Sequence, residues 1–202
     1  MGKQYIEIPG TAPSVTLGLD LSSVCVGYAV FEDLDLIEKN KYTHTGKHHC
    51  EKLQTFYVWL EGLIRRINPT HVVIEMPHGG NAGKALLVLT MYVTVVYMVY
   101  YKIFKREFPD SCKMYPSSVK SLLKVQTTGN HEQNKQVMVD HINKLFGLSL
   151  RYDKNKKNSD DDISDAIAVV VAWILRSGRD DGRYDSDRDR TGGRTKRSVR
   201  RR

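Results

Sequence analysis

The chain has 202 residues, 41% of them hydrophobic and 27% charged, which is the balance of one soluble domain able to bury its own core. Its net charge is +8, but Arg176–Arg202 alone carries eleven Lys and Arg against five Asp, so the body before it is nearly neutral. Three widely spaced cysteines (Cys25, Cys50, Cys112) with no C-x-x-C pair argue against a secreted disulfide scaffold. They point to a reducing compartment, a bacterial or infected-cell cytosol.

The first fourteen residues, MGKQYIEIPGTAPS, are expected to be irregular. They lack the apolar centre of a signal peptide and the hydroxyl residue that favours myristoylation. Val15–Leu21 reads as a strand, a Ser22-Ser23 turn follows, and Val24–Glu32 returns as its hairpin partner. Leu36–Thr43 is expected as a third strand. Cys50–Ile67 carries apolar residues at helical spacing (Leu53, Phe56, Tyr57, Leu60, Leu63, Ile64, Ile67), and Asn68-Pro69 stops it. His44, His48, His49 and Cys50 invite a zinc reading. They lack a second paired half, and the last three are too adjacent to face one ion, so a polar loop is expected.

His71–Glu75 (HVVIE) suits a buried parallel strand, and a Pro-Gly turn leads into a helix over about 82–106. Within it Ala85–Tyr101 is apolar for seventeen residues, broken only by Thr90 and Thr94. That is short for a membrane span, it holds four tyrosines, and Lys102, Lys105 and Arg106 follow at once. The expectation is a soluble helix buried on most sides, in the core or at a dimer contact. Cys112–Tyr115 is a last strand, and Glu132–Phe146 and Asp160–Arg176 are two more helices. Together these elements describe a mixed α/β sheet with helices on both faces. From Ser177 the chain loses aliphatic residues and is expected to be a disordered basic tail. Its last twelve residues hold six positive charges (Arg194, Lys196, Arg197, Arg200, Arg201, Arg202) and no negative one, which suits non-specific contact with nucleic-acid phosphates.

Four carboxylates are out of place. Asp20 lies inside the first strand, and Glu75 ends the buried run HVVI. Asp162 and Asp165 are three apart on one face of an opening helical turn, about 5–6 Å from each other. Each has an ordinary alternative: Asp20 satisfied by Ser22 and Ser23, Glu75 facing solvent, and the Asp160–Asp165 acids complementing a helix N-terminus. Taken together they favour a site, because Asp165 precedes AIAVVVAWIL, a run that must be buried nearly all round. A hard divalent cation is the usual answer to clustered carboxylates, and two such ions clamp a phosphodiester for hydrolysis.

These residues carry a resemblance to the RuvC-type Holliday junction resolvases of the ribonuclease H-like superfamily, over about residues 15–176. It rests on G-L-D-L-S-S with its G-Y-A-V return, the V-V-I-E strand, Asn81 with the helix behind it, and P-S-S-V-K (Pro116–Lys120). Gly129 with Lys135-Gln136-Val137 and the terminal D-x-x-D-A-I-A-V complete the set. The resemblance implies a ribonuclease H-like mixed five-stranded sheet and a homodimer that nicks four-way DNA junctions at two symmetry-related places. Mg²⁺, with Mn²⁺ as substitute, would be held as two ions by Asp20, Glu75, Asp162 and Asp165. Asn81, Lys120 and Lys135, with the tail cations, would contact DNA. No nucleotide cofactor and no membrane are implied. The sequence departs from the family pattern in the loop Met76–Gly80, which is short and without an aromatic residue, and at His131, which stands where a glycine is expected. Activity on flaps or forks is therefore an alternative. An inert nucleic-acid-binding module is another, although all four acids are present. Actin-like and sugar-kinase ATPases share the opening hairpin, but they need two such domains, and no P-loop is found.

Overall fold

The computed structural model describes residues 14–77, 83–126, 128–155 and 158–180. The hairpin forms as expected: β1 (Val15–Leu21) pairs antiparallel with β2 (Cys25–Glu32), and β2 pairs with β3 (Asp35–Thr43). After α1 (His49–Ile67) the chain crosses back to lay β4 (His71–Glu75) parallel to β1, and the two-residue β5 (Lys113–Met114) joins β4 in parallel. The order β3-β2-β1-β4-β5 puts the Asp20 strand at the centre of a mixed five-stranded sheet, so the expected α/β architecture stands. A strand covered on both faces is apolar on both, and β1 and β2 are buried almost throughout.

Strand alternation sends Leu17, Leu19, Val72 and Ile74 to one face, where they meet α1 and α2 (Lys84–Phe104). The opposite face takes Ala29, Phe31, Val73 and Met114 against α3 (Pro116–Leu122), α4 (His131–Phe146) and α5 (Asp161–Asp180). Helix α1 buries Phe56, Leu60, Leu63 and Ile64, each worth roughly 1.5–3 kcal/mol of transfer free energy. It ends where Asn68 turns left-handed (φ 48°) and its N–H bonds Ile64 O, with Pro69 behind it. Helix α4 starts on the Asn130 side chain, which accepts from the Glu132 and Gln133 N–H groups, and stops at left-handed Gly147.

Three features differ from expectation. Helix α2 is buried on one face only, through Tyr92, Val93, Val95, Val96, Val99 and Tyr100, while Leu87, Met91, Met98 and Tyr101 are exposed. It packs on α1 and β1 from one side, and no described residue covers the other. Helix α3 was not anticipated: it is seven residues long, begins on Pro116 and buries only Val119. Helix α5 continues past Arg176 to Asp180, with the Ser177 hydroxyl donating to Trp173 O at 3.0 Å.

Candidate active site

Asp20 is the sixth residue of β1 and lies opposite Gly27 of β2; Glu75 is the last residue of β4. The parallel register pairs Leu19 with Ile74, so Asp20 and Glu75 follow side by side and emerge on the α5 face of the sheet. Asp162 and Asp165 come down from the first turns of α5. Two glycines set how closely α5 lies on the strands. A Cβ on Gly18 would fall 2.7 Å from Ala166 O, and one on Gly27 would fall 1.9 Å from Asp162 O. The absence of side chains there lets the backbone of the acid-bearing helix touch the strands that carry Asp20.

The acids crowd one another. Burial, reinforced by the charges of Asp165, Glu75 and Asp162, pushes the Asp20 carboxyl well above the usual range. Burial and Asp165 raise Glu75 to about 8, against a hydrogen bond with Asp20 and the opposing charges of Lys120 and Lys135. Burial raises Asp165 to about 7, with Lys135 opposing and Asp161 and Asp162 adding to it. Asp162 itself is buried, and its Oδ2 accepts a hydrogen bond from Cys25 Sγ at 2.9 Å. The ordinary alternative for Asp20 does not apply through Ser22, whose hydroxyl is used by Cys25: it donates to Cys25 O at 2.7 Å and accepts from Cys25 N–H.

Lys120 of α3 and Lys135 of α4 converge on the same place. With Glu75, His131, Asn134 and Asp165 they line a cavity of about 170 Å³. Lys135 forms an ion pair with the buried Asp161. Burial alone would lower the Lys135 ammonium, but the Asp161 bond and the charges of Asp161, Asp165 and Asp162 more than reverse this and hold it charged. Asn81 and the tail cations Arg194, Lys196, Arg197, Arg200, Arg201 and Arg202 lie outside the described residues.

Several contributors were not legible in the sequence. Asp161 reads there as one more acid at a helix N-terminus, Asn134 as a helix-surface residue and Cys25 as strand filling. His44 serves the fold instead of a metal: it is buried among Tyr42, Phe56 and Tyr92, and its Nε2 bonds Ser22 O at 2.9 Å. Burial holds its pKa below the ordinary histidine value.

Among the described residues no three His, Cys, Asp or Glu groups already converge on one ion-sized point. The donor set nonetheless fits a hard divalent cation. It is all carboxylate oxygen, it is desolvated, and the burial and mutual charge that raise Asp20, Glu75 and Asp165 are what a cation among them would relieve.

No family model matches the chain. It is 27% identical over 173 residues to the crossover junction endodeoxyribonuclease RuvC of Brachyspira hyodysenteriae, covering 81% of this chain and 95% of that one. In fold it is similar to T. thermophilus RuvC in complex with a Holliday junction substrate (TM-score 0.61, 14% identity, 84% of this chain and 97% of the other). It is also similar to the yeast mitochondrial Holliday junction resolvase Ydc2 (TM-score 0.56, 17% identity, 87% and 84%). A relative aligned along nearly its whole length, a shared sheet-and-helix architecture and the motifs that carry the resemblance agree: the chain is similar to the RuvC-type resolvases and has their α/β, ribonuclease H-like fold.

Proposed function

We propose that the protein is a divalent-metal-dependent endonuclease that resolves four-way DNA junctions by paired, symmetry-related nicks, in recombination, repair or viral genome processing. The observation that carries this reading is the gathering of four acids from three distant segments onto one sheet edge, beneath a cavity rimmed by two lysines. Asp20, Glu75, Asp162 and Asp165 would hold Mg²⁺, or Mn²⁺ in its place, as two ions. Bound there, the metal would supply charge neutralisation at the scissile phosphate and an acidified water. Lys120 and Lys135 present positive charge at the cavity and bind backbone phosphate, while Asn134 and His131 offer hydrogen bonds beside them. Asn81 and the tail cations extend the phosphate contacts.

A homodimer is part of the proposal. Leu87, Met91, Met98 and Tyr101 are spaced four, seven and three residues apart along α2. With Thr94 they form the alternating three-and-four seam on which paired helices pack, and a second copy of α2 would cover it. A two-fold dimer presents two sites to the near two-fold symmetry of a junction. Helix α2 is long and apolar enough to cross a membrane, but its inner face packs with α1 and β1, and insertion would dismantle that core. The three widely spaced cysteines, with no C-x-x-C pair, support action in a bacterial or infected-cell cytosol.

The test is a labelled four-way junction incubated with Mg²⁺ and either the unaltered protein or Asp165→Asn. Paired nicks are expected from the first, and binding without cleavage from the second. Equal cleavage by both would overturn the site. The loop after Glu75 has no aromatic residue, so flap and fork substrates belong in the same assay. Intact binding with no cleavage of any branched DNA would favour the inert module.

A further inference from the structure

Asp162 is held differently from the other three acids. Its side chain springs from the first turn of α5, where an aspartate ordinarily samples several rotamers, yet it is only 2% exposed and its Oδ2 accepts from Cys25 Sγ at 2.9 Å. The thiol reaches it from 137 positions earlier in the chain, from the opening residue of β2.

Cys25 is itself fixed before it touches the acid. Its N–H donates to Ser22 Oγ at 3.1 Å, and its carbonyl accepts from the Ser22 hydroxyl at 2.7 Å and from the Ser22 N–H at 3.2 Å. Ser22 is in turn tied to His44 through its carbonyl. Two residues beyond Cys25, Gly27 lets the Asp162 main chain rest on β2. One short stretch, Ser22 to Gly27, therefore holds Asp162 at both its backbone and its carboxylate. Neither valine nor alanine at position 25 could make the second contact.

We infer that Cys25 is a positioning residue for the metal site: by engaging Oδ2 it commits Asp162 to present Oδ1 to a cation. A neutral thiol suits this place. It packs as a small apolar group in a buried position and still donates one hydrogen bond. Groups that orient a metal ligand from behind set its affinity for the ion, and their loss costs roughly ten- to a hundredfold. The inference rests on Asp162 being a metal ligand, and the experiment separates the two ideas.

Mn²⁺ affinity is measured on the full chain by electron paramagnetic resonance, beside the melting temperature in EDTA, for Cys25→Val, Cys25→Ser and Asp162→Asn. Valine fills the place with an apolar side chain one methyl larger and removes the donor; serine keeps a donor. The expected result is Mn²⁺ binding weakened roughly tenfold by valine, largely retained by serine, with little change in melting temperature. If valine does not fold, Cys25→Ala against Cys25→Ser makes the same comparison. Valine or alanine binding Mn²⁺ as tightly as the unaltered protein, while Asp162→Asn binds it poorly, would overturn the role of Cys25 alone. Equal losses in serine and valine that track a lower melting temperature would reduce Cys25 to packing. Unchanged affinity in Asp162→Asn would remove Asp162 from the ligand set and this inference with it.

Discussion

Replacing Gly27 by alanine perturbs the site without touching any of its acids. The new Cβ would lie 1.9 Å from Asp162 O, 2.3 Å from Asp162 C and 2.9 Å from Ile163 N. All three are backbone atoms, so no side-chain rotation relieves the clash. To bring the oxygen out to 3.0 Å, the first turn of α5 must retreat by about 1 Å. Because Gly27 lies opposite Asp20, the retreat carries Asp162 and Asp165 away from Asp20. A displacement of about 1 Å at reacting groups costs up to about 10²-fold in rate, and overpacking of this kind costs about 1–3 kcal/mol of stability. The assay is Mg²⁺-dependent junction cleavage, with metal-free junction binding and thermal melting to show that the variant is folded. Gly62→Ala is the control: its Cβ would meet nothing within 4 Å, and in the middle of α1 it should be neutral or stabilising by up to about 1 kcal/mol. A folded Gly27→Ala variant that cleaves within about twofold of the unaltered rate, against the loss expected for a 1 Å shift, would refute the claim that this contact sets the carboxylate spacing.

Three further expectations follow from the same geometry. In EDTA the melting temperature should fall as pH rises from about 4 to about 8. Glu75 is raised from 4.5 to about 8 and Asp165 from 3.8 to about 7, so across that window the folded state keeps protons that the unfolded chain has released. Mg²⁺ should restore most of the loss at the alkaline end; a flat metal-free profile would show that the acids are not crowded. Met91→Glu with Met98→Glu should give monomers in sedimentation velocity, and an intact dimer would exclude the outer face of α2 as its seam. Deleting residues 191–202 removes six cations and should reduce the slope of log binding constant against log salt by at most about 5; an unchanged slope would show the tail idle.

What could be read from the sequence divides along physical lines. Asp20 and Glu75 stood out because a charge inside an alternating or fully apolar strand breaks a short-range pattern. Asp162 and Asp165 did so because their spacing of three places them on one helix face. The orientation of α2 was not legible, since an almost continuous apolar run has no period from which to tell an inner face from an outer one. Helix α3, with a single buried side chain, offers no period either. Asp161 could not be separated from its neighbours Asp160 and Asp162, because only the approach of α4 brings Lys135 to it. Cys25 had no local signal at all, its partner being 137 residues away.

The placement of two of the four acids on the last described helix also orders the birth of the candidate site in time. Asp20 leaves the ribosome before Glu75, and both leave it before α5. The segment that supplies Asp162 and Asp165 also brings the Ile163, Ala166, Ile167, Val169 and Val170 side chains that complete the core on that face of the sheet. A nascent or prematurely ended chain lacking α5 thus has neither the full set of acids nor the packing to align the remainder. For the nuclease proposed above, synthesis itself acts as a safety catch, released only once α5 has been made.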